Sequence, residues 1–237
     1  MDVAERVREH KWYHALELAP GVVTPGLYDL RGEVAKYHLP ERLDGKRALD
    51  VGTWDGFWAF ELERRGAEVV ALDLDDERRL DTPVRRHQSF SPRPRGDGFR
   101  LAREVYGSQV ERVDMSIYDA TPEELGTFDL VFCGSVVIHL RDQLGALERI
   151  AALCTGTFVS AEAITRPLEL VPFPMTRYVA DRPAAVVYWQ PNARAWRRML
   201  WTAGFDRVEE MGRFVLHSSE GYSVRHVLHH ASASVRN

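Results

Sequence analysis

The stretch "LDVGTWDG", residues 49 to 56, sets an acid, Asp50, at the end of an apolar run and follows it with two glycines four apart, Gly52 and Gly56. An apolar run entering a glycine turn is how ligand loops begin in α/β proteins. A dinucleotide loop uses a middle glycine to bring backbone against a pyrophosphate. Thr53 and Trp54 fill that interval here, and the indole obstructs the approach. Asp50 would also repel phosphate. A cationic ligand removes both difficulties, because a carboxylate at a strand end holds an ammonium group directly or through water.

S-adenosylmethionine fits that description, having no phosphate, a cationic amino group and a sulfonium. Gly52 and Gly56 would let backbone pass close to its methionine and ribose portions, with Asp50, Thr53 and Trp54 completing the turn. The next apolar run, "AEVVALDL", ends in Asp73, 23 positions beyond Asp50. An acid there accepts hydrogen bonds from ribose hydroxyls in ribose-binding α/β folds, with Leu74 beside it. Asp75 and Asp76 are expected to cap a helix or face solvent.

These residues need a scaffold. "KRALDVG" reads as a first strand, "FWAFELERRG" as a helix ending at Gly66, and "AEVVALDL" as a second strand buried on both faces. A helix, "FRLAREVYG", and a third strand, "VERVDMSIYD", follow a polar stretch. "TFDLVFCGSV" is a fourth strand, succeeded by a helix over about 141–153 and a fifth strand, "GTFVSAEAI". "NARAWRRMLWTAG" is a further helix. "FDRVEEM" and "YSVRHVLHH" close the chain as two strands that pair antiparallel. Alternating strands and helices imply a mostly parallel sheet covered on both faces. Residues 1–44 are expected to form a helical extension or lid, with a short helix near Arg31–Tyr37, and residues 45–237 the main domain. Insertions fall at about 76–98 and 165–190.

"GKRALDVGTWDGFWAFELERRGAEVVALDLDD", with "GTFDLVFCGSVVIHLRD" and "YWQPNARAWRRMLWTAGF", resembles class I S-adenosylmethionine-dependent methyltransferases. Within these it looks most like the group containing the tRNA wobble-uridine carboxymethyltransferase and its smaller bacterial relatives, over roughly residues 12–216. The resemblance implies an α/β, Rossmann-like fold: a seven-stranded, mostly parallel sheet with an antiparallel last strand. It also implies that Ser116, Ile117 and Tyr118 pack around adenine, and that Cys133 to Ser135 line the methionine end. The N-terminal region here is shorter than in the tRNA enzyme, whose basic and aromatic readers of a carboxylated cofactor have no match. Ordinary S-adenosylmethionine is therefore the expected cofactor.

Methyl transfer needs alignment, exclusion of water and often a base. "SVVIHLRD" places His139 just beyond the fourth strand, and an imidazole with an ordinary pKa of about 6.5 suits deprotonation of a hydroxyl. Glu162, ending the fifth strand, is the second candidate base, and Asp142 is expected to cap the next helix. Acceptor recognition falls to Trp12, Tyr13 and His14 in "HKWYHALEL", and to Arg177, Tyr188 and Trp189 in the second insertion. His226 and His230 share a strand face without accompanying ligands at metal spacing, so no metal site is expected; a magnesium ion held by Asp142 or Glu162 is a separate option.

Composition bounds the function. The 237 residues are 45% hydrophobic and 28% charged, with a formal charge of -4, which gives no global pull toward nucleic acid or membrane. Residues 78–103 hold eight arginines against two acids, a local surplus suited to a solvated loop or to an anionic partner, RNA phosphates included. The charged N-terminus lacks a signal-peptide core and no apolar run reaches membrane-spanning length, so a cytoplasmic protein is expected. Cys133 and Cys154 read as buried reduced thiols. A homodimer is compatible with the sequence. The leading expectation is O-methylation of a small-molecule hydroxyl, on a sugar or natural product; the alternatives are an RNA methyltransferase and a non-catalytic cofactor-binding partner subunit.

Asp73→Ala is expected to weaken S-adenosylmethionine binding by about 1–3 kcal/mol, because the ribose hydroxyls lose a charged acceptor. Calorimetry showing unchanged affinity removes the assignment.

Overall fold

The apolar runs alternate their burial across a central sheet. In the computed structural model, which describes residues 2–81, 83, 93–182 and 185–233, seven strands build that sheet. They are β1 (Arg47–Val51), β2 (Glu68–Asp73), β3 (Glu111–Asp114), β4 (Phe128–Gly134), β5 (Cys154–Ile164), β6 (Arg207–His217) and β7 (Ser223–Ser232). Their spatial order is β6-β7-β5-β4-β1-β2-β3. Strands β1 to β5 run parallel, and β7 runs antiparallel to both β5 and β6. Strand order reverses between β4 and β2, on either side of β1, so a ligand crevice belongs outside the carboxyl end of β1.

Successive residues of each inner strand feed opposite cores. Ala48, Val69, Ala71, Leu130 and Phe132 pack on one face, while Leu49, Val51, Val70, Leu72 and Val131 pack on the other. Helices α1 (Phe57–Arg64) and α2 (Asp97–Tyr106) cover the first face. Helices α3 (Gln143–Leu153) and α4 (Ala193–Thr202) cover the second. Burial on both sides explains why these strands read as unbroken apolar runs. Cys133 and Cys154 are buried free thiols on the second face.

Two regions differ from the sequence expectation. Residues before β1 contain one short helix, Val3–Arg8, an antiparallel pair, Glu17–Ala19 with Val22–Val23, and a 3-10 turn, Val34–Tyr37. This segment lies on the first face, where Trp12, Leu16, Leu18 and Tyr28 join the core. Strand β3 stops at Asp114 instead of running to Asp119. The Ser116 hydroxyl accepts from the Tyr118 amide, and Asp119 N–H donates to the Ser116 carbonyl, so local turn bonds replace the ladder. The insertion after β5 carries its own antiparallel pair, Thr176–Tyr178 with Trp189–Pro191. Asn192 ties it to α4, accepting from the amides of Met175 and Ala195. Of the arginine-rich stretch, Arg85 and Arg86 lie outside the described residues. Among the described residues, no helix is long and apolar enough to cross a membrane.

Trp196 on α4 is fully buried, and its indole N–H donates to the Ser160 hydroxyl of β5 at 2.9 Å. Trp196→Ala should therefore lower stability by about 3–5 kcal/mol in denaturant titration. A loss below about 1 kcal/mol would mean that α4 does not seal the second core.

Candidate functional site

The turn after β1 is forced into shape by close approach. Gly52 has φ +76, and a Cβ there would meet the Val136 side chain at 2.3 Å. Gly56 has φ +93, and a Cβ would collide with Phe60 and Phe99. Between them Trp54 also takes a left-handed backbone, φ +51, uncommon for a residue with a bulky side chain. Three hydrogen bonds hold it there. Trp54 N–H donates to Asp73 Oδ2 at 2.7 Å, and the Trp54 carbonyl accepts from the Arg112 guanidinium at 3.1 Å. Gly56 N–H closes the turn onto the Thr53 carbonyl. Arg112 is itself fixed by Asp75. Burial works against the Asp75 charge, but Arg112 and Arg100 hold its carboxyl below the usual range. Asp76 caps the following 3-10 turn through Arg78 N–H.

Asp55, in the same turn, has no solvent exposure. Its carboxylate accepts from the amides of Tyr13 and His14 at 2.7 and 2.9 Å and from His14 Nδ1 at 2.5 Å. The N-terminal segment is thereby pinned across the turn. Tyr13 stacks on one face of the Trp54 indole, with centroids 4.7 Å apart, and the Arg95 guanidinium covers the indole at 3.9 Å. Tyr13 and Tyr28 are neighbours, and the Tyr28 hydroxyl approaches that of Tyr222 in the β6–β7 turn.

A cleft of about 820 Å³ opens beside the turn. Gly52, Asp73, Leu74, Ser116, Ile117 and Tyr118 line it, so six of the expected cofactor residues converge. Asp81 spans its wall: the carboxylate accepts from the Tyr118 hydroxyl and from the amide of Arg141, and lies 3.5 Å from the Tyr188 hydroxyl. Tyr188 therefore sits beside the cleft, and its N–H donates to the Ile138 carbonyl. The other acceptor candidates are placed differently. Trp12 is buried in the core, donating to the Val7 carbonyl. Arg177 pairs with Gln190 on an exposed surface, and Trp189 packs edge-on against Tyr178.

Two acids carry unusual environments. Asp50 is almost fully buried, and desolvation pushes its carboxyl up to about 7. Among the described residues, Asp50 Oδ2 and Thr53 Oγ1 have no well-aligned hydrogen-bond partner, although the Thr53 hydroxyl lies close enough to the Asp50 carboxyl to favour its charged form. Glu162 is equally buried, and desolvation pushes it up to about 8. Its two oxygens accept from the amides of Val137 and Ala163. Glu162, expected as a second base, is thus turned toward the backbone of the loop after β4. Val137 opens the 3-10 turn that ends in His139. His139 Nδ1 donates to the Val186 carbonyl at 2.6 Å, which leaves Nε2 as the basic ring nitrogen.

Ser135, φ +57, turns its hydroxyl toward β7, where it meets His226 Nε2 at 2.6 Å. Burial lowers His226 to about 4, so the ring is neutral and accepts that proton. His230 bonds the Tyr37 carbonyl. Asp142 caps α3 through Gly145 N–H, as expected. With Asp142 and Glu162 both serving backbone, neither is arranged for magnesium, and no group of three His, Cys, Asp or Glu side chains among the described residues could hold a metal ion. Sequence reasoning missed Asp55, Asp81, Arg95 and Arg112. Only Asp55, beside Gly56 in the turn, carried any local signal.

A family model described as "Methyltransferase domain" matches residues 28–210. The ubiquinone biosynthesis O-methyltransferase of Vibrio parahaemolyticus is 29% identical over 138 residues, covering 53% of this chain and 52% of that protein. The tRNA U34 carboxymethyltransferase of Desulforapulum autotrophicum is 28% identical over 171 residues, covering 70% of this chain and 46% of that protein. The chain spans about half the length of the curated relatives it matches. Among solved structures, the N-terminal domain of EvdMO1 with SAH bound aligns over 99% of this chain and 98% of that one, with a TM-score of 0.69 and 18% identity. The magnesium protoporphyrin IX methyltransferase of Synechocystis PCC 6803 aligns over 86% of this chain and 78% of that one, with a TM-score of 0.56 and 18% identity.

The raised Glu162 carboxyl contributes stability that is complete below its unfolded pKa, about 4.3. That contribution is lost as pH rises through about 8. Glu162→Gln should therefore flatten the decline in stability between pH 5 and pH 8 in urea titrations. An unchanged slope would show that the carboxyl ionises freely.

Proposed function

The chain belongs to the methyltransferase domain family, and from that premise we propose that it moves a methyl group from S-adenosylmethionine to a hydroxyl of a small-molecule acceptor. Bound there, the cofactor supplies an electrophilic methyl on a sulfonium, a good leaving group. The residues present fit it. The buried Asp50 oxygen and the neighbouring Thr53 hydroxyl, neither with a well-aligned partner among the described residues, suit the amino group. A cation at Asp50 would favour the carboxylate over the neutral acid that burial promotes. The Gly52 contact with Val136 leaves no room for a side chain, and Gly52 lines the cleft. Ser116, Ile117 and Tyr118 would hold the adenine in the cleft beyond Asp73.

His139 carries the acceptor chemistry. It stands just past β4 at the carboxyl edge, and the Val186 carbonyl fixes its tautomer. Its Nε2 would take the proton of an acceptor hydroxyl as the oxygen attacks. Glu162 acts through it, holding the Val137 amide that begins the same turn. Tyr13 and Tyr188 reach the carboxyl edge from opposite sides, through the N-terminal segment and the insertion, and are the acceptor-facing candidates that the geometry favours. The relatives named as O-methyltransferases, and the EvdMO1 domain also crystallised in the presence of SAH and D-fucose, support a hydroxylated small acceptor.

The test is transfer of label from methyl-labelled S-adenosylmethionine to a panel of sugars, phenols and natural-product alcohols, with bulk tRNA alongside. Label in a small alcohol supports the reading, and label confined to tRNA replaces the acceptor class. On the acceptor found, His139→Ala should lower kcat by about 10²–10⁴-fold while affinity for S-adenosylhomocysteine stays within about twofold. Full activity in that variant would move the base elsewhere.

A further inference from the structure

Arg95 sits where few arginines are found. Its side chain is nine-tenths buried, its guanidinium lies on the Trp54 indole, and Nη2 is 3.6 Å from Asp73 Oδ2. That separation balances charge but is too long for a hydrogen bond. Its Nε–H is buried and has no acceptor among the described residues. The placement is built in. Arg95 N–H donates to the Asp75 carbonyl at 2.9 Å. Next to it, a Cβ on Gly96 would meet Asp75 Oδ1 at 2.5 Å and Arg112 Nε at 2.6 Å. A glycine here lets the chain press closely on the Asp75–Arg112 pair beside Arg95.

Asp73 is incomplete in the complementary way. Oδ2 accepts from Trp54 N–H and Oδ1 from Leu74 N–H, each at 2.7 Å. A carboxylate oxygen has two lone-pair sites, so one remains on each. Asp73 thus brings two open acceptor sites to the cleft, and beside it Arg95 keeps one buried, unmatched donor. A phosphate, which brings acceptors alone, would be repelled by Asp73. An amine, which brings donors alone, would leave Arg95 Nε–H unmatched. Two adjacent hydroxyls bring two protons and spare lone pairs, and satisfy both partners.

We infer that Arg95 is a further cofactor-binding residue, the donor half of a diol-reading pair in which Asp73 is the acceptor half. Resting on the cofactor proposed above, the diol is the ribose of S-adenosylmethionine. Asp73 takes the two hydroxyl protons, and Arg95 Nε–H donates to a hydroxyl oxygen. Because Arg95 lies on the same indole that Tyr13 stacks against, the ribose contact and the N-terminal segment share one rigid aromatic support.

Calorimetry with S-adenosylhomocysteine and its 2′-deoxy and 3′-deoxy analogues tests the pair in the wild type, Arg95→Ala and Arg95→Lys. Lysine keeps the charge over the indole but lacks the Nε–H, and thermal melts report whether each variant folds. The wild type should prefer the full ribose by about tenfold or more. Both variants should lose about tenfold for S-adenosylhomocysteine and much less for the deoxy analogues, so that the preference shrinks. Variants that bind like the wild type, or that lose all three ligands by one common factor, overturn the inference alone. A folded wild type that binds none of the three overturns the cofactor reading as well.

Discussion

Three carboxylates, Asp50, Asp55 and Asp73, are buried within one turn and the strand beside it. Buried charge must be matched, and the way each is matched organises the carboxyl edge of the sheet. Asp55 draws three donors from residues 13 and 14 and so fastens the N-terminal segment over the turn. Asp73 draws the Trp54 and Leu74 amides and so fixes a strained, left-handed tryptophan. Asp50 keeps one oxygen without a well-aligned protein partner among the described residues. In the function proposed above, that oxygen takes the amino group of the cofactor, whose charge would favour the carboxylate.

The remaining architecture serves that edge. The reversal of strand order at β1 opens the crevice, and the loops after β2, β3 and β4 supply its walls. Asp81, in the loop after β2, reaches the loops after β3 and β4 and the insertion after β5, through Tyr118, Arg141 and Tyr188. Glu162 and the Val186 carbonyl set His139 from below and from the side. Asp55, Asp73, Asp81 and His139 are therefore each held by residues distant in sequence.

The sheet was legible in the sequence because inner parallel strands must be apolar on both faces, which leaves runs such as "EVVALD" with little other use. The turn after β1 was legible because Gly52, Gly56 and Asp50 each answer a local requirement. The short N-terminal pair was not, because strands of two and three residues are made by tertiary contact and carry no periodicity. Arg95 was one arginine among eight in its stretch, and its role arises only when folding sets it on Trp54. Glu162 was correctly placed at the end of a strand, but its direction depends on amides in a neighbouring loop. Ser135 and His226 meet across 91 residues, a contact that no spacing rule anticipates.

One titration reaches the centre of this account. Purified protein is titrated by calorimetry with S-adenosylhomocysteine and, separately, with NADH, which carries a diphosphate. The buried acids predict saturable one-to-one binding of S-adenosylhomocysteine and no heat of binding with NADH. Binding of NADH, or no binding of either, would contradict it.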